Sequence, residues 1–228
     1  MKQYIDWLIK WITDRRLEMK DKGLLLVISG FSGAGKGTVV KRLLEQHNDY
    51  ALSISATTRS PREGEQDGRE YFFKSKEELE KMIEASELIE YARYVDNYYG
   101  TPKAYVEEQL KEGKNVILEI EIQGALNIKS MFPDAVLLFI MPPSAKELER
   151  RLVGRGTEDE ATIRASLSRA SEEAQGVENY NYIVINDDVD ACVGTIDSIV
   201  KSEKRKAANN INLINNIKEE LKAYSKGE

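Results

Sequence analysis

One short stretch of glycines constrains this chain more than any other feature. Residues 30–38 read GFSGAGKGT and directly follow a continuous apolar run, Leu24–Ser29. A buried strand that enters such a loop can turn its backbone N–H groups toward an anion, and the glycines allow torsions that a Cβ would obstruct. Because Gly30, Gly35 and Lys36 have the spacing of a phosphate-binding P-loop, the sequence predicts a strand, a P-loop and a helix in that order.

A glycine-rich turn without a ligand is the alternative explanation of this stretch. The strand before it, Lys36 within it and an amphipathic helix after it favour the phosphate site. Lys36 would place a mobile positive charge at the β- and γ-phosphates of a nucleotide, and the N-terminus of the helix adds its dipole. The predicted phosphate-binding residues are Gly30, Ser32, Gly33, Ala34, Gly35, Lys36, Gly37 and Thr38.

The loop departs from the P-loop pattern at Gly37, where a serine or threonine is expected. That hydroxyl ordinarily binds Mg²⁺ directly. Without that hydroxyl, we expect Mg²⁺ to be bound mainly by the nucleotide phosphates and by water. Thr38 carries the nearest hydroxyl and is the candidate protein ligand.

Composition and charge limit the class of protein. The chain has 228 residues and a net charge of −6, which argues against a nucleic-acid-binding protein. Its single cysteine, Cys192, excludes an intrachain disulfide. No apolar run is long enough to span a membrane, and residues 1–23 lack the features of a signal peptide. We therefore expect a cytoplasmic enzyme without nucleic-acid or membrane partners.

Apolar runs alternate with helical patterns along most of the chain, which is typical of an α/β protein with a parallel sheet and crossover helices. Ser75 and Ser144 each precede a glutamate by three residues, the spacing of a capping box at the start of a helix. The predicted strands of the main sheet are Leu24–Ser29, Val116–Ile122, Val136–Met141 and Tyr182–Asn186.

The alternation breaks down between about residues 53 and 101. There the segments are shorter and richer in tyrosine, and Glu70–Lys74 and Leu88–Tyr94 are predicted as antiparallel strands around one helix. We interpret this part of the chain as an inserted substrate lobe.

Both ends of the chain are predicted to be helical, over residues 1–22 and 208–228. The first segment should be a packing helix, because its apolar residues recur at helical spacing. The sequence leaves open whether this stripe packs on its own core, on a second subunit or on a membrane surface. The residues of the stripe are Tyr4, Ile5, Trp7, Leu8, Trp11 and Ile12.

Several motifs in the substrate lobe and beyond it resemble the guanylate kinase family. Residues 55–62 read SATTRSPR, and Gly64, Glu65, Gly68 and Tyr71 follow. Further matching blocks, over about residues 24–199, include NYYGT at 97–101, LEIEIQG at 118–124 and NDD at 186–188. The resemblance implies ATP-dependent phosphorylation of GMP and dGMP, with Mg²⁺, in purine nucleotide metabolism.

The resemblance also implies an architecture. The fold would be a three-layer P-loop kinase with a parallel central sheet, an inserted mixed α+β GMP-binding lobe and a helical lid. The kinase domain would span residues 23–207, with its core at 23–52 and 102–207, its GMP-binding lobe at about 53–101 and its lid at about 154–170.

A pair of arginines is the candidate clamp for the acceptor phosphate. Arg59 and Arg62 lie three residues apart and can present two guanidinium groups to one phosphate, while Tyr71 adds a hydroxyl. The resemblance assigns these positions to GMP, and Arg59 to catalysis as well. The alternative is a solvated basic turn.

The resemblance places the guanine base against Glu90 and Glu121. A carboxylate can accept hydrogen bonds from N1–H and the 2-amino group of guanine, which adenine does not offer in that arrangement. Ser55 and Thr101 would donate toward O6, and Tyr99 belongs to the same block. The alternative is a pair of strand-end carboxylates that face solvent, and Glu121 could instead serve the metal or the structure.

Two arginines in the predicted lid complete the catalytic set of Lys36, Arg59, Arg151 and Arg155. Arg151 and Arg155 lie one helical turn apart where the family closes over ATP; the alternative is a solvated helix face. Ser166 stands where a further arginine is expected, and Arg169 is the candidate substitute at the GMP phosphate.

Asn186 is a candidate contact to adenine, with an ordinary Asn-Asp turn as the alternative.

Three functions fit the sequence at this stage. The first is an active kinase with ATP and GMP as substrates, as a monomer or homodimer. The second is an inactive guanylate-kinase-like module that binds phosphopeptides, and the third is a kinase for another nucleoside monophosphate. The intact Gly35 and Lys36 favour the first over the second.

Overall fold

The computed structural model describes residues 22–94, 96–156 and 159–225, which form an α/β structure with two sheets. The strands of the main sheet are β1 (Leu25–Gly30), β2 (Tyr50–Leu52), β7 (Asn115–Glu119), β8 (Val136–Met141) and β9 (Tyr182–Ile185). The strands of the second sheet are β3 (Ala56–Thr57), β4 (Phe72–Phe73), β5 (Leu88–Tyr94) and β6 (Asn97–Pro102).

Eight α-helices are present in the described residues. They are α1 (Lys36–Gln46), α2 (Lys76–Glu84), α3 (Lys103–Lys111), α4 (Ile122–Met131), α5 (Ala145–Gly154), α6 (Glu160–Glu173), α7 (Val189–Lys204) and α8 (Ile211–Ser225). Two 3₁₀ turns lie at Ala174–Asn179 and Ala207–Asn210.

The main sheet is parallel throughout, with the strand order β2-β7-β1-β8-β9. All six residues of β1 are buried, because this central strand is covered on both faces. Helix α1 packs against α7, and α4 packs against β1 and β8. The predicted α/β class with a parallel central sheet is confirmed, and the carboxyl ends of β1 and β7 lie side by side.

The second sheet corrects one prediction. Glu70–Lys74 was expected as an antiparallel strand, but only Phe72–Phe73 is extended, and it pairs with β3 in parallel. Two parallel neighbours need a connection that returns the chain to the same end, and the loop 58–71 supplies it. The prediction for Leu88–Tyr94 is correct, since β5 pairs with β6 antiparallel.

Two strand ends also differ from the predictions. Strand β7 stops at Glu119, not Ile122, because Glu121 takes the N-cap position of α4. Helix α4 therefore begins at Ile122. Strand β9 ends at Ile185, one residue earlier than predicted.

The two predicted capping boxes behave differently. Ser75 and Glu78 form the full reciprocal pair at the start of α2. Ser144 caps α5 by accepting from the backbone N–H of Glu147, but the carboxylate of Glu147 binds arginines instead of the backbone. Glu147 therefore orients arginine side chains and does not complete the cap of α5.

The prediction of a C-terminal helix is confirmed over Ile211–Ser225. The prediction for residues 1–21 lies outside the described residues. Among the described helices, none has the length and apolar character needed to cross a membrane.

Candidate active site

The P-loop connects β1 to α1 and depends on two left-handed glycines. Gly33 and Gly35 both have φ of 89°, a torsion that L side chains rarely adopt. A Cβ on Gly35 would lie 2.6 Å from the amide nitrogen of Asn186, and one on Gly33 would lie 2.9 Å from Leu152. Glycine is therefore required at both positions for conformation and for space.

Lys36 is the first residue of α1, and its side chain folds back over the loop. Its Nζ donates to the carbonyl of Gly30 at 2.6 Å. The exposed Thr38 follows in the same helical turn. A positive charge thus lies beside the backbone that a nucleotide phosphate would contact.

Asn186 and Arg151, which the sequence assigned to ATP, both hold the P-loop in this structure. The amide of Asn186 donates to the carbonyl of Ala34 at 2.8 Å. Arg151 donates through Nη2 to the carbonyl of Asn186 at 2.8 Å and through Nε to Glu147 at 2.7 Å. Contact of these two residues with ATP stays a prediction.

Glu147 orients Arg151 and is a residue that the sequence analysis missed. Hydrogen bonds from Arg150 and Arg151 lower the pKa of Glu147 to about 2. The carboxylate therefore stays ionised and keeps the Arg151 guanidinium in place over the usual pH range. A glutamate four residues before a lid arginine is the signal that could have revealed it.

Arg155 lies immediately after α5, at its C-cap, and is exposed. It is one helical turn from Arg151, as the spacing predicts. Helix α6 begins at Glu160 and carries Ser166 and Arg169. Residues 157 and 158 of the predicted lid lie outside the described residues.

A cleft of about 1260 Å³ lies between the two sheets and holds most of the predicted GMP-binding residues. It is open enough for a nucleotide, whose sites commonly occupy several hundred Å³. The predicted residues that line it are Ser55, Tyr71, Glu90, Tyr99 and Glu121.

Arg59 reaches this group from the loop 58–71. Its guanidinium lies 5.3 Å above the centre of the Tyr71 ring and donates through Nη2 to Glu65 at 2.9 Å. The backbone N–H of Arg62 donates to the other oxygen of Glu65 at 2.7 Å. The side chain of Arg62 is exposed.

Glu65 therefore ties the two arginine positions together, and the sequence analysis gave it no role. The hydrogen bonds from Arg59 and Arg62 lower its pKa. Tyr99 lies 6.0 Å from Tyr71, ring centre to ring centre, and after Glu65 it contributes to the raised pKa of Arg59. The clamp is thus partly preorganised by contacts within the protein.

Glu90 lies in the wall of the cleft on β5. Burial raises the pKa of its carboxyl, although the Thr101 hydroxyl donates to it at 2.7 Å and opposes the shift. Thr101 was predicted to donate toward O6 of guanine. In this structure its hydrogen is directed to Glu90, so the hydroxyl positions the carboxylate.

Glu119 is a further acidic residue that the sequence analysis missed. It ends β7, next to the P-loop strand, and a Cβ on Gly37 would lie 3.9 Å from its Oε1. Burial raises the pKa of Glu119, and the charge of Lys36 opposes that shift. The sequence signal that could have revealed Glu119 is its position directly after the apolar run 116–118, where an acidic residue can bind a metal beside a P-loop.

Glu121 lines the cleft, and Glu173 lies close enough to it for the two carboxyl groups to interact. Burial and the neighbouring Glu121 raise the pKa of Glu173, whereas Lys36 and Arg169 oppose the shift. Arg169 is exposed on α6, and it lies close enough to Glu173 for its charge to act on the pKa of that carboxyl. Burial raises the pKa of the nearby Tyr180 to about 12, so its hydroxyl stays protonated.

No group of three acidic, histidine or cysteine side chains is arranged to hold a metal ion within residues 22–94, 96–156 and 159–225. The oxygen donors beside the P-loop are the Glu119 carboxylate and the Thr38 hydroxyl. Such donors suit Mg²⁺, which keeps several waters and binds through one or two carboxylates together with phosphates.

A model of one protein family matches most of the chain. It is described as guanylate kinase and covers residues 22–203. The guanylate kinase of Caldanaerobacter subterraneus subsp. tengcongensis is 52% identical over 204 residues, covering 90% of this chain and 99% of that protein. The guanylate kinase of Clostridioides difficile is 52% identical over 201 residues, covering 88% and 98%.

The chain is also similar to a solved structure of a guanylate kinase. The crystal structure of guanylate kinase from Anaplasma phagocytophilum has a TM-score of 0.63 and 33% sequence identity to this chain. The match covers 83% of this chain and 90% of that chain.

The raised pKa of Glu90 generates a prediction about stability. A buried carboxyl with a raised pKa destabilises the folded state once it ionises, so its cost appears as pH rises above about 4.5. We expect Glu90→Gln to increase the free energy of unfolding at pH 7, and the gain to vanish below the ordinary pKa of glutamate. Urea unfolding at several pH values measures both.

The control for this measurement is Glu87→Gln, which removes an exposed carboxylate three residues earlier. It should leave the unfolding free energy unchanged at every pH. A Glu90→Gln variant that is less stable than the parent at pH 7 would contradict the inference that the ionised Glu90 carboxylate destabilises the folded state.

Proposed function

The chain belongs to the guanylate kinase family, and we propose that its cleft carries out the family's reaction, transfer of the γ-phosphate of ATP to GMP. The observation that carries the proposal is one cleft lined by Tyr71, Glu90 and Glu119. Arg59 lies over the Tyr71 ring, and Lys36 of the P-loop is close enough to Glu119 to act on its pKa. The protein is a nucleoside monophosphate kinase, and its products are ADP and GDP.

The donor phosphates bind to the P-loop. Backbone N–H groups from Gly33 to Thr38 and the N-terminus of α1 supply fixed positive dipoles. Lys36 leaves the Gly30 carbonyl and turns toward the β- and γ-phosphates. Phosphoryl transfer needs mainly positioning and positive charge, so this lysine is the first catalytic group.

The acceptor phosphate binds to Arg59, Arg62 and Tyr71. Glu65 already occupies one Nη2 hydrogen of Arg59, and its other oxygen holds the Arg62 backbone. The Nη1 of Arg59 also donates to the Ser60 carbonyl at 2.8 Å, so the guanidinium hydrogens that are left bind the phosphate, and the exposed Arg62 side chain closes on it. A guanidinium fork suits two phosphate oxygens at once.

Base selection follows from Glu90 and Glu121. The Glu90 carboxylate, held by Thr101, accepts from N1–H and the 2-amino group of guanine. Adenine would present the N1 lone pair to the same half-buried carboxylate, and polar mismatches of this kind can discriminate by about 10⁴-fold. Ser55 and Tyr99 line the same wall.

The lid arginines act on the transferring phosphate. Arg151 already lies against the P-loop carbonyl of Ala34, and Arg155 is one turn further along the chain. Closure of the segment after Gly154 brings Arg155 to the phosphates and excludes water that would hydrolyse ATP. Arg169 approaches the GMP phosphate from α6.

Glu119 and Thr38 are the residues that would hold Mg²⁺ beside the P-loop. When bound, Mg²⁺ neutralises negative charge on the β- and γ-phosphates. Partial desolvation raises the pKa of the exposed Glu119 carboxyl, which would gain a cationic partner in the bound metal. Gly37 leaves that space open.

Two other functions receive less support. A phosphopeptide-binding module would not need Lys36, the left-handed glycines or a carboxylate at Glu119. A kinase for AMP would not place an acidic wall at the base. The decisive experiment is a coupled assay of ADP release with ATP and a panel of nucleoside monophosphates.

Removal of the loop lysine should reduce catalysis. We expect Lys36→Ala to lower kcat by about 100-fold or more, because it removes one preorganised charge from the transition state. Lys41→Ala is the matched control, since Lys41 is an exposed lysine on the same helix. Near-normal turnover of Lys36→Ala at saturating ATP would mean that this loop is not the donor site.

Removal of the Glu119 charge should change the metal requirement. We expect Glu119→Gln to need a higher Mg²⁺ concentration for half-maximal rate, because the neutral amide holds the cation less strongly. Titration of Mg²⁺ at fixed ATP measures the shift, and Glu149→Gln, an exposed residue of α5, is the control. An unchanged Mg²⁺ midpoint would rule out a metal role for Glu119.

The base preference provides the test of specificity. We expect strong preference for GMP over AMP, and Glu90→Gln should raise the KM for GMP and narrow that preference. Glu87→Gln again serves as the control. Efficient phosphorylation of AMP by the unmodified protein would refute the assignment of Glu90.

A further inference from the structure

Helix α8 exposes an apolar stripe. Ile217, Leu221 and Tyr224 are 47%, 59% and 85% exposed, and Ile214 is half-buried. Their spacing of three and four residues places all four on one face of the helix. We call these four residues the α8 stripe.

The described domain does not cover this stripe. Its hydrophobic core ends at Val200 in α7, and no side chain of α8 joins that core. A separate 15-residue helix is only marginally stable in water, and exposed apolar stripes of this kind mark contact surfaces. The α8 stripe therefore needs a partner that lies outside the described residues.

The start of the described chain lies beside the start of α8. A cavity of about 610 Å³ at the opposite end of the sheet from the P-loop is lined by Lys22 and Gly23 on one side. Ala208, Asn209 and Asn212 line it from the region where α8 begins. The segment before Lys22 is thus tethered next to α8.

The segment before Lys22 has a matching pattern. Its apolar residues recur at the same spacing of three and four, and they include both tryptophans of the chain. We propose that residues 4–12 of this segment cover the α8 stripe within the same molecule. The apolar residues concerned are Tyr4, Ile5, Trp7, Leu8, Trp11 and Ile12.

Tethering favours this occupant over a second copy of the chain. A segment attached through a short connection has an effective concentration in the millimolar range, well above that of a second protein in a dilute solution. A helix of 15 residues is about 22 Å long, and the 21 residues before Lys22 can extend along all of it. The proposal is independent of the kinase reaction.

The two tryptophans make the proposal directly testable. Because the chain has no other tryptophan, its intrinsic tryptophan fluorescence reports on residues 4–12 alone. We expect blue-shifted emission and weak quenching by iodide in the full chain. The double variant Ile217→Asp, Leu221→Asp should shift the emission to the red and raise the quenching constant by several-fold.

Asn215→Asp is the matched control, because it adds a charge on the side of α8 that faces away from Ile217, Leu221 and Tyr224. It should leave both fluorescence values unchanged. Kinase turnover should be the same in all variants, which confirms that each remains folded.

A second measurement removes the dependence on a destabilising variant. In the Lys218→Cys variant, a bimane label can be attached at the edge of the stripe, where contact with tryptophan should quench its fluorescence. When Trp7→Phe and Trp11→Phe are added to the same variant, the bimane emission should be restored. Cys192 is buried and does not compete for the label.

Three results would overturn the proposal. The first is solvent-exposed tryptophan in the parent chain, and the second is an unquenched bimane. The third is tryptophan burial that appears only with dimer formation in sedimentation at rising concentration, which would identify a second copy as the partner.

Discussion

The contact between Asn186 and the Ala34 carbonyl supports the rest of the site. It joins the P-loop to the end of β9, and Arg151 and Glu147 extend the same hydrogen-bonded chain into α5. The loop backbone is therefore held in shape before any nucleotide binds. Preorganised donors of this kind cost no rearrangement when charge develops on the phosphate.

The acceptor side uses carboxylates for two different purposes. The Glu65 side chain is only 18% exposed, but hydrogen bonds from Arg59 and the Arg62 backbone lower its pKa, and its role is to hold these two groups. Glu90 is half-buried and Glu119 is exposed, but partial desolvation raises the pKa of each carboxyl, and each gains when a ligand supplies hydrogen atoms or a cation. The arginine-paired carboxylate organises the site, and the two carboxylates with raised pKa values are the ones available to its ligands.

The sequence alone predicted the parts of the structure that depend on local patterns. The strand at β1, the helix after Lys36 and the alternation along the main sheet follow from apolar spacing and glycine chemistry. It did not predict the parallel β3–β4 pair, because that pairing depends on the path of a loop. Glu119 was missed because its position beside the P-loop depends on the order of the strands in the sheet. Glu147 was missed because its carboxylate can bind either the backbone N–H of the helix cap or an arginine side chain, and the sequence does not decide between them.

The connection between the two sheets is unusually short. The N–H of Ser53 still donates to Ile117 in β7, while the carbonyl of Ser55 already accepts from Phe72 in β4, so Ile54 alone separates them. On the return path, Lys103 begins α3 directly after β6 and still bonds to Glu87. Glu90 and Thr101 lie on the second sheet, and Arg59 follows shortly after β3, so a torsional change at Ile54 would move the base wall and the phosphate clamp as one unit relative to the P-loop.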